Sequence, residues 1–106
     1  MSSTVLPLNF RAGVARFSSS EESWKLLEPM GDEPRVAHGQ VIFDQPFSVP
    51  PVVHAGLAGF DVSNSANARL EVCIESVSER GFIVELRTWL DTRIWSANVS
   101  WLAIGH

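Results

Sequence analysis

Cysteine is almost absent from this sequence. Its 106 residues include one cysteine, Cys73, so neither an intrachain disulfide nor a cysteine-based zinc site can form. A chain of this length is expected to fold as a single domain over residues 1–106, burying roughly two thirds of its unfolded surface. Its stability must then come from packing, with oligomerisation as a further source.

Positive charge is also scarce. Eight Lys and Arg face twelve Asp and Glu, giving a net charge of −4, and no basic run is present. Such a chain is a poor partner for nucleic acid or an anionic membrane surface. No apolar run approaches the ~20 residues of a membrane span, and residues 1–13 lack the features of a signal peptide. We therefore expect a cytoplasmic protein, with unconventional secretion left open.

Enzymatic motifs are missing. The sequence has no glycine-rich phosphate loop, no nucleophile elbow and no metalloprotease motif. The histidines have no ligand-like spacing, so we expect no metal site and no cofactor: His38, His54 and His106. The strand glutamates are interpreted as a solvated or interfacial sheet face: Glu71, Glu75 and Glu85. We expect no catalysis.

Turn signals at short intervals separate six segments that read as strands. These are Asn9–Phe17, Val36–Phe43, Val52–Val62, Ala68–Ser76, Phe82–Trp89 and Ile94–Ile104. Residues 23–27 fit either a strand or one helical turn, and residues 1–9 are expected to be a loose N-terminus. With no convincing helix, the pattern predicts an all-β, six-stranded antiparallel sandwich or barrel.

Matching the apolar faces of strands four and five predicts their register. Placing same-face residues opposite each other pairs Ile74 with Val84. The predicted core is then Leu70, Val72, Ile74, Phe82, Val84 and Leu86. The same register sets Glu71 against Arg87 and Arg69 against Trp89, where an arginine and an indole can stack.

Three side chains near the turn at residues 89–93 suit a neutral sugar. Trp89 and Trp95 lie at either edge of the turn, with Arg69 opposite. An indole packs on the apolar face of a pyranose, while arginine donates to its hydroxyls and a carboxylate accepts from them. The alternative is an ordinary surface Arg–Trp pair, and composition alone does not decide between them.

Three stretches in this order resemble the H-type lectin domain family of snail agglutinins and discoidin C-terminal domains. They are FDQPFSVPPVVHAGLAGFDVSNSANARLEV, VSERGF and TWLDTRIWSANVSWLAIG. The resemblance covers residues 38–105 well and the N-terminal third loosely. It implies a six-stranded antiparallel sandwich that assembles as a trimer, sometimes as two trimers. It also implies a galactose or N-acetylgalactosamine site between subunits.

The resemblance carries five site positions onto this chain: Asp32, Arg69, Trp89, Leu90 and Trp95. Leu90 stands where the snail type has a histidine, and Trp95 where tyrosine is commoner. The snail type's disulfide is absent. A sugar-binding trimer is therefore expected, with the small residues at 55–59 allowing close approach of another subunit. The alternative is a structural trimerisation or protein-interaction module whose sugar site has decayed.

Overall fold

The computed structural model describes residues 7–29, 31 and 33–106. Its strands are β1 Asn9–Ser18, β2 Arg35–Ile42, β3 Val52–Val62, β4 Glu71–Glu75, β5 Gly81–Thr88 and β6 Ile94–Gly105. They form two antiparallel sheets, ordered β1-β6-β3 and β2-β5-β4, which confirms the all-β prediction. Among the described residues no helix is long and apolar enough to cross a membrane.

The predicted ends of the strands differ slightly from those observed. β3 has the predicted bounds, whereas β4 is shorter than the predicted 68–76. Of the expected loose N-terminus the structure describes residues 7–9, and Asn9 already begins β1. Residues 23–27 are neither strand nor helix. The Trp24 amide donates to the carbonyl of Glu21, and the Leu26 carbonyl accepts from the Ile94 amide of β6.

Apolar side chains from both sheets fill the space between them. Phe82, Val84 and Leu86 are almost completely buried, as predicted, and their strand β5 is the central strand of its sheet. The other predicted core residues are half-buried and pack against this cluster: Leu70, Val72 and Ile74. Their partial exposure follows from their position on or beside β4, an edge strand with a neighbour on one side.

The register predicted between β4 and β5 is confirmed. Ile74 pairs with Val84 and Glu71 with Arg87. The ladder ends there, however, so it does not extend to Arg69 and Trp89. Arg87 also makes its ion pair with Glu85 of its own strand, at 3.4 Å between Nη2 and Oε2, in place of a bridge to Glu71.

Two glycines make room for large aromatic side chains. A Cβ added at Gly39 would lie 2.0 Å from the ring of Phe17 in the opposite sheet. One added at Gly13 would lie 2.9 Å from the indole of Trp101, its cross-strand neighbour in the same sheet. A side chain at either position would force a large aromatic out of place.

The outer surface of the β1-β6-β3 sheet carries exposed apolar side chains. Cross-strand pairs place them on one face: Phe10, Val14, Val52 and Leu102. Val52 is 75% exposed and Phe10 59%. We call this surface the apolar face. Gly56 lies on it with open space where its Cβ would stand, so nothing in the described chain covers it there.

Candidate functional site

Arg35 ties together the two segments that border the candidate site. This first residue of β2 is only 6% exposed. Its guanidinium donates to the carbonyls of Lys25 at 3.2 Å, Leu90 at 3.0 Å and Thr92 at 2.6 Å. Lys25 belongs to the loop before β2, and the other two belong to the β5–β6 turn. One buried cation therefore fixes both segments at once.

The same loop is also anchored to β6. The Trp24 indole donates through Nε1 to the carbonyl of Ile94 at 2.8 Å. The Ile94 amide donates back to the carbonyl of Leu26, also at 2.8 Å, and Leu26 is fully buried. These contacts hold the beginning of the loop against β6.

Arg69 is held by the β5–β6 turn. Its Nη1 donates to Asp91 Oδ1 at 2.8 Å and to Thr92 Oγ1 at 3.0 Å. The Thr92 hydroxyl donates to the carbonyl of Asn67 at 2.6 Å, and the Thr88 hydroxyl donates to the carbonyl of Arg69 at 2.5 Å. Two buried threonines thus fix the backbone and the head group of Arg69.

Two charged side chains of this network, Asp91 and Arg35, have lowered pKa values. The hydrogen bond from Arg69 holds the pKa of Asp91 below its usual value, so Asp91 remains a carboxylate well into the acid range. Burial lowers the pKa of Arg35, and the nearby charge of Arg93 lowers it further. An arginine nevertheless stays protonated at neutral pH, so Arg35 acts as a permanent donor.

An open cleft of about 380 Å³ lies beside Arg69. Its lining comes from the loop before β2, the segment before β4 and the β5–β6 turn: Pro29, Gly31, Arg69, Leu90 and Asp91. The volume falls within the range of small-molecule sites. Leu90 is 41% exposed and has a φ of 56°, a left-handed conformation that is unusual for leucine. Its carbonyl bond to Arg35 helps to hold it there.

The cleft contains part of the predicted site. It brings Arg69 and Leu90 together. Trp89 is half-buried and Trp95 is exposed, and neither side chain lines the cleft. Asp32 lies outside the described residues, although its neighbour Gly31 lines the cleft.

The expected stacking of Arg69 on Trp89 is not what the described residues show. The guanidinium of Arg69 is directed to Asp91 and Thr92, because β4 begins two residues after Arg69 and the ladder does not reach it. The cation–π contact found among the described residues joins Arg11 to Phe47, at 5.0 Å from the ring centre.

Two further residues of the site carry no signal in the sequence. Asp91 lies in the turn at residues 89–93, and only the folded structure shows that it holds Arg69. Arg35 lacks any local signal, because arginine is almost never fully buried and its three acceptors come from residues 10 to 57 positions away. The three hydrogen bonds of Arg35 can therefore be recognised only in the folded structure.

A second, larger cleft of about 490 Å³ lies at the opposite end of the β2-β5-β4 sheet. It includes Ile42, Asp44, Ser78 and Arg80. The hydrogen bonds of the described residues do not fix the Arg80 side chain, whereas they fix Arg69. We therefore place the candidate site at the smaller cleft, because a prearranged donor matters more for polar recognition than volume.

Known proteins share the fold and part of the sequence. A sequence model of the H-type lectin domain matches residues 39–104. A protein of Fuscovulum blasticum named "ATP synthase subunits region ORF 7" is 37% identical over 75 residues, which are 71% of this chain and 65% of that protein. This chain therefore spans less than two thirds of that relative.

Two solved structures are similar to the whole sandwich. Wild-type discoidin II from Dictyostelium discoideum has a TM-score of 0.72 and 22% identity, over 92% of this chain and 37% of that one. Native recombinant discoidin II has a TM-score of 0.71 and 23% identity, over 91% and 37%. At such low sequence identity, the similarity shows a shared fold and nothing about function. The residues 39–104 that match the sequence model make up more than half of the sequence and include Arg69 and Leu90. The chain therefore belongs to the H-type lectin domain family.

Proposed function

We propose that this protein is a non-enzymatic, carbohydrate-binding lectin that recognises galactose or N-acetylgalactosamine-type glycans in the cleft beside Arg69. The observation that carries the proposal is the fixed guanidinium of Arg69 at an open cleft lined by Leu90 and Asp91. The hydrogen bonds of the described residues use one terminal nitrogen of Arg69, Nη1. A guanidinium has five N–H donors, so donors remain for a sugar hydroxyl.

The proposed chemistry needs a carboxylate as well as the guanidinium. An ionised carboxylate accepts two hydroxyl protons, and such charge-assisted bonds are about twice as strong as neutral ones. We assign this role to Asp32, because Gly31 lines the cleft and Asp91 is already engaged by Arg69. Galactose suits such a site because its vicinal hydroxyls can bond both charged groups.

Leu90 is proposed to shape the preference of the site. An exposed leucine supplies apolar contact but no hydrogen bond. We therefore expect low affinity for a free monosaccharide and higher affinity for ligands with an apolar substituent or a second sugar. Trp89 and Trp95 are proposed as aromatic contacts for this extended part of the ligand, because both flank the turn that carries Leu90.

We further propose that the protein assembles as a trimer, with binding sites at the subunit boundaries and association of two trimers as a further step. The apolar face is the support for this proposal, since large exposed apolar patches mark sites of protein–protein contact. Its members lie in adjacent cross-strand rows. A second copy covering them would also supply the stabilisation that disulfides give other small domains.

Glycan-array binding followed by calorimetric titration of galactose, N-acetylgalactosamine and short galactosides tests the function. We expect saturable binding, strongest for ligands larger than one sugar. A folded, trimeric protein that binds no glycan would instead support the structural trimerisation module. Arg80→Ala, in the larger cleft, is the matched control because it removes an arginine from the other end of the sheet.

A further inference from the structure

Three metal-ligating side chains meet on the outer face of the β2-β5-β4 sheet, one from each strand. The Nε2 atom of His38 lies 3.1 Å from Oε1 of Glu85. A carboxylate oxygen of Glu75 joins them, and the three ligand atoms all lie within 4.8 Å of one another. This cluster is separate from the cleft at Arg69, because its residues lie within the strands of the sheet and none of them lines that cleft.

The strand register explains why these residues meet. His38 and Glu85 are directly opposite each other on β2 and β5. Cys73 is opposite Glu85 on the other side, and Glu75 follows two residues later on the same face. The chain spacing of these residues is irregular, so a motif search finds nothing, although the folded sheet brings them into one patch.

The distances suit one small divalent ion. Zinc binds imidazole nitrogen and carboxylate oxygen at about 2.0–2.2 Å, so ligand atoms in a tetrahedral site are separated by roughly 3.3–3.5 Å. His38 and Glu85 already stand near that separation. Only Glu75 must move, by about 1.5 Å at most on the same geometry. It is exposed, so its side chain can rotate at little cost.

The surroundings leave one carboxylate oxygen for an ion. Glu85 is only 8% exposed although it lies on an outer face. Arg87 approaches its Oε2 at 3.4 Å, while Oε1 is turned to His38. Arg87 offsets one of the two carboxylate charges, so the site has a net charge near −1 with neutral imidazole. A divalent ion would be attracted to it, and a histidine ligand favours zinc over magnesium or calcium.

We propose that His38, Glu75 and Glu85 form a binding site for one zinc ion, with a fourth position open to water. The ion would link β2, β5 and β4, and so tie together a sheet that no disulfide crosses. Because the folded sheet assembles the ligands, metal binding favours the folded state and raises the unfolding temperature as the zinc concentration rises.

The experiment uses the untagged full chain, stripped of metal, and titrates zinc in competition with a chromophoric chelator. The variants are His38→Gln and Glu75→Gln, both at exposed side chains that can change without loss of the fold. The matched control is His54→Gln, on the outer face of the other sheet. Cobalt absorption in the visible range reports the ligand set, and thermal unfolding with and without zinc reports the linkage.

We expect one zinc per chain, at least tenfold weaker binding in His38→Gln and Glu75→Gln, and unchanged binding in His54→Gln. Zinc should raise the unfolding temperature of the wild type and of the control, and not that of His38→Gln. The proposal is overturned if zinc does not bind stoichiometrically, or if His38→Gln binds it as tightly as wild type. An excess of magnesium that displaces the zinc would overturn the assignment of the metal.

Discussion

The guanidinium of Arg69 donates to the carboxylate of Asp91 over 2.8 Å, and this pair joins the segment before β4 to the turn after β5. Asp91 is exposed, so the pair contributes little to the folding free energy. Its effect is to restrict the rotamers of an arginine that would otherwise sample many. A ligand that binds Arg69 then loses less conformational entropy.

Removing either charged group of the proposed sugar site should abolish or strongly weaken glycan binding. Arg69→Ala is expected to cost more than the ~1 kcal/mol of a neutral hydrogen bond, because the lost bond is charge-assisted. Asp32→Ala should remove binding while the unfolding temperature stays nearly unchanged. Calorimetric titration of the best glycan checks both. If both variants bind as tightly as wild type, the sugar site lies elsewhere, and loss of binding in Arg80→Ala would place it in the larger cleft.

Glycan affinity should be nearly independent of pH between about 5 and 8 and should fall only in more acidic solution. The pKa of Asp91 is lowered by the hydrogen bond from Arg69, so its pairing is present above the usual value of about 3.9 and is lost as the pH falls through the lowered one. Titrations across this range check the prediction, and a midpoint near pH 6.5 would instead indicate a histidine in the site.

Arg35→Ala should destabilise the fold by about 3 kcal/mol, because three carbonyls lose a buried charged donor. Arg35→Lys should recover only part of this, since an ammonium cannot span three acceptors in the plane of a guanidinium. Chemical unfolding measures the loss. Arg93→Ala is the control: its side chain is exposed, and about 0.5 kcal/mol or less is expected. Equal losses in the two alanine variants would show that Arg35 does not anchor the loop and the turn.

Leu86→Ala should cost about 2–5 kcal/mol in chemical unfolding, since it leaves a cavity between the sheets. Leu86 is fully buried. Ile42→Ala, on the exposed side of the same sheet, should cost less than about 1 kcal/mol. A loss below half a kilocalorie for Leu86→Ala would contradict its assignment to the core.

The proposed trimer is checked by analytical ultracentrifugation at micromolar concentration, where a stable monomer would refute it. Leu102→Asp should dissociate the trimer without unfolding the chain, because it places a charge on the apolar face. Gln40→Asp is the control, because it adds the same charge at an exposed position of the other sheet, away from the apolar face. A trimer that persists in Leu102→Asp would move the subunit contact to another surface.

Mixed trimers of Asp32→Ala and Arg69→Ala subunits locate Asp32 relative to the boundary. If Asp32 acts on the neighbouring subunit, some sites in the mixture recover both groups and binding returns. If it acts within its own chain, every site lacks one group. We expect recovered binding, because the sites are proposed at the subunit boundaries, and no recovery would show that Asp32 acts within its own chain.

How far the sequence predicts the structure depends on the range of the interactions. The register of β4 and β5 follows from the alternation of apolar residues in each strand and from the short turn between them. The predicted pairing of Ile74 with Val84 is therefore confirmed. The head group of Arg69 was not placed correctly, because its partners lie beyond the end of that ladder. The contacts of Arg35 and the cluster of His38, Glu75 and Glu85 could not be predicted from the sequence. Each is formed by segments that are distant in the chain, and no local pattern encodes such a contact.

The position of β6 between β1 and β3 has a consequence for how the protein is made. β1 and β3 pair with β6 and not with each other, so their sheet cannot start to form until the ribosome has produced residues 94–105. Until then two apolar strands remain without partners and are exposed to aggregation. Pairing of β1 with β6 spans almost the entire sequence. Such non-local contacts make folding slow, on the order of milliseconds to seconds, and chaperone demand during synthesis should be high.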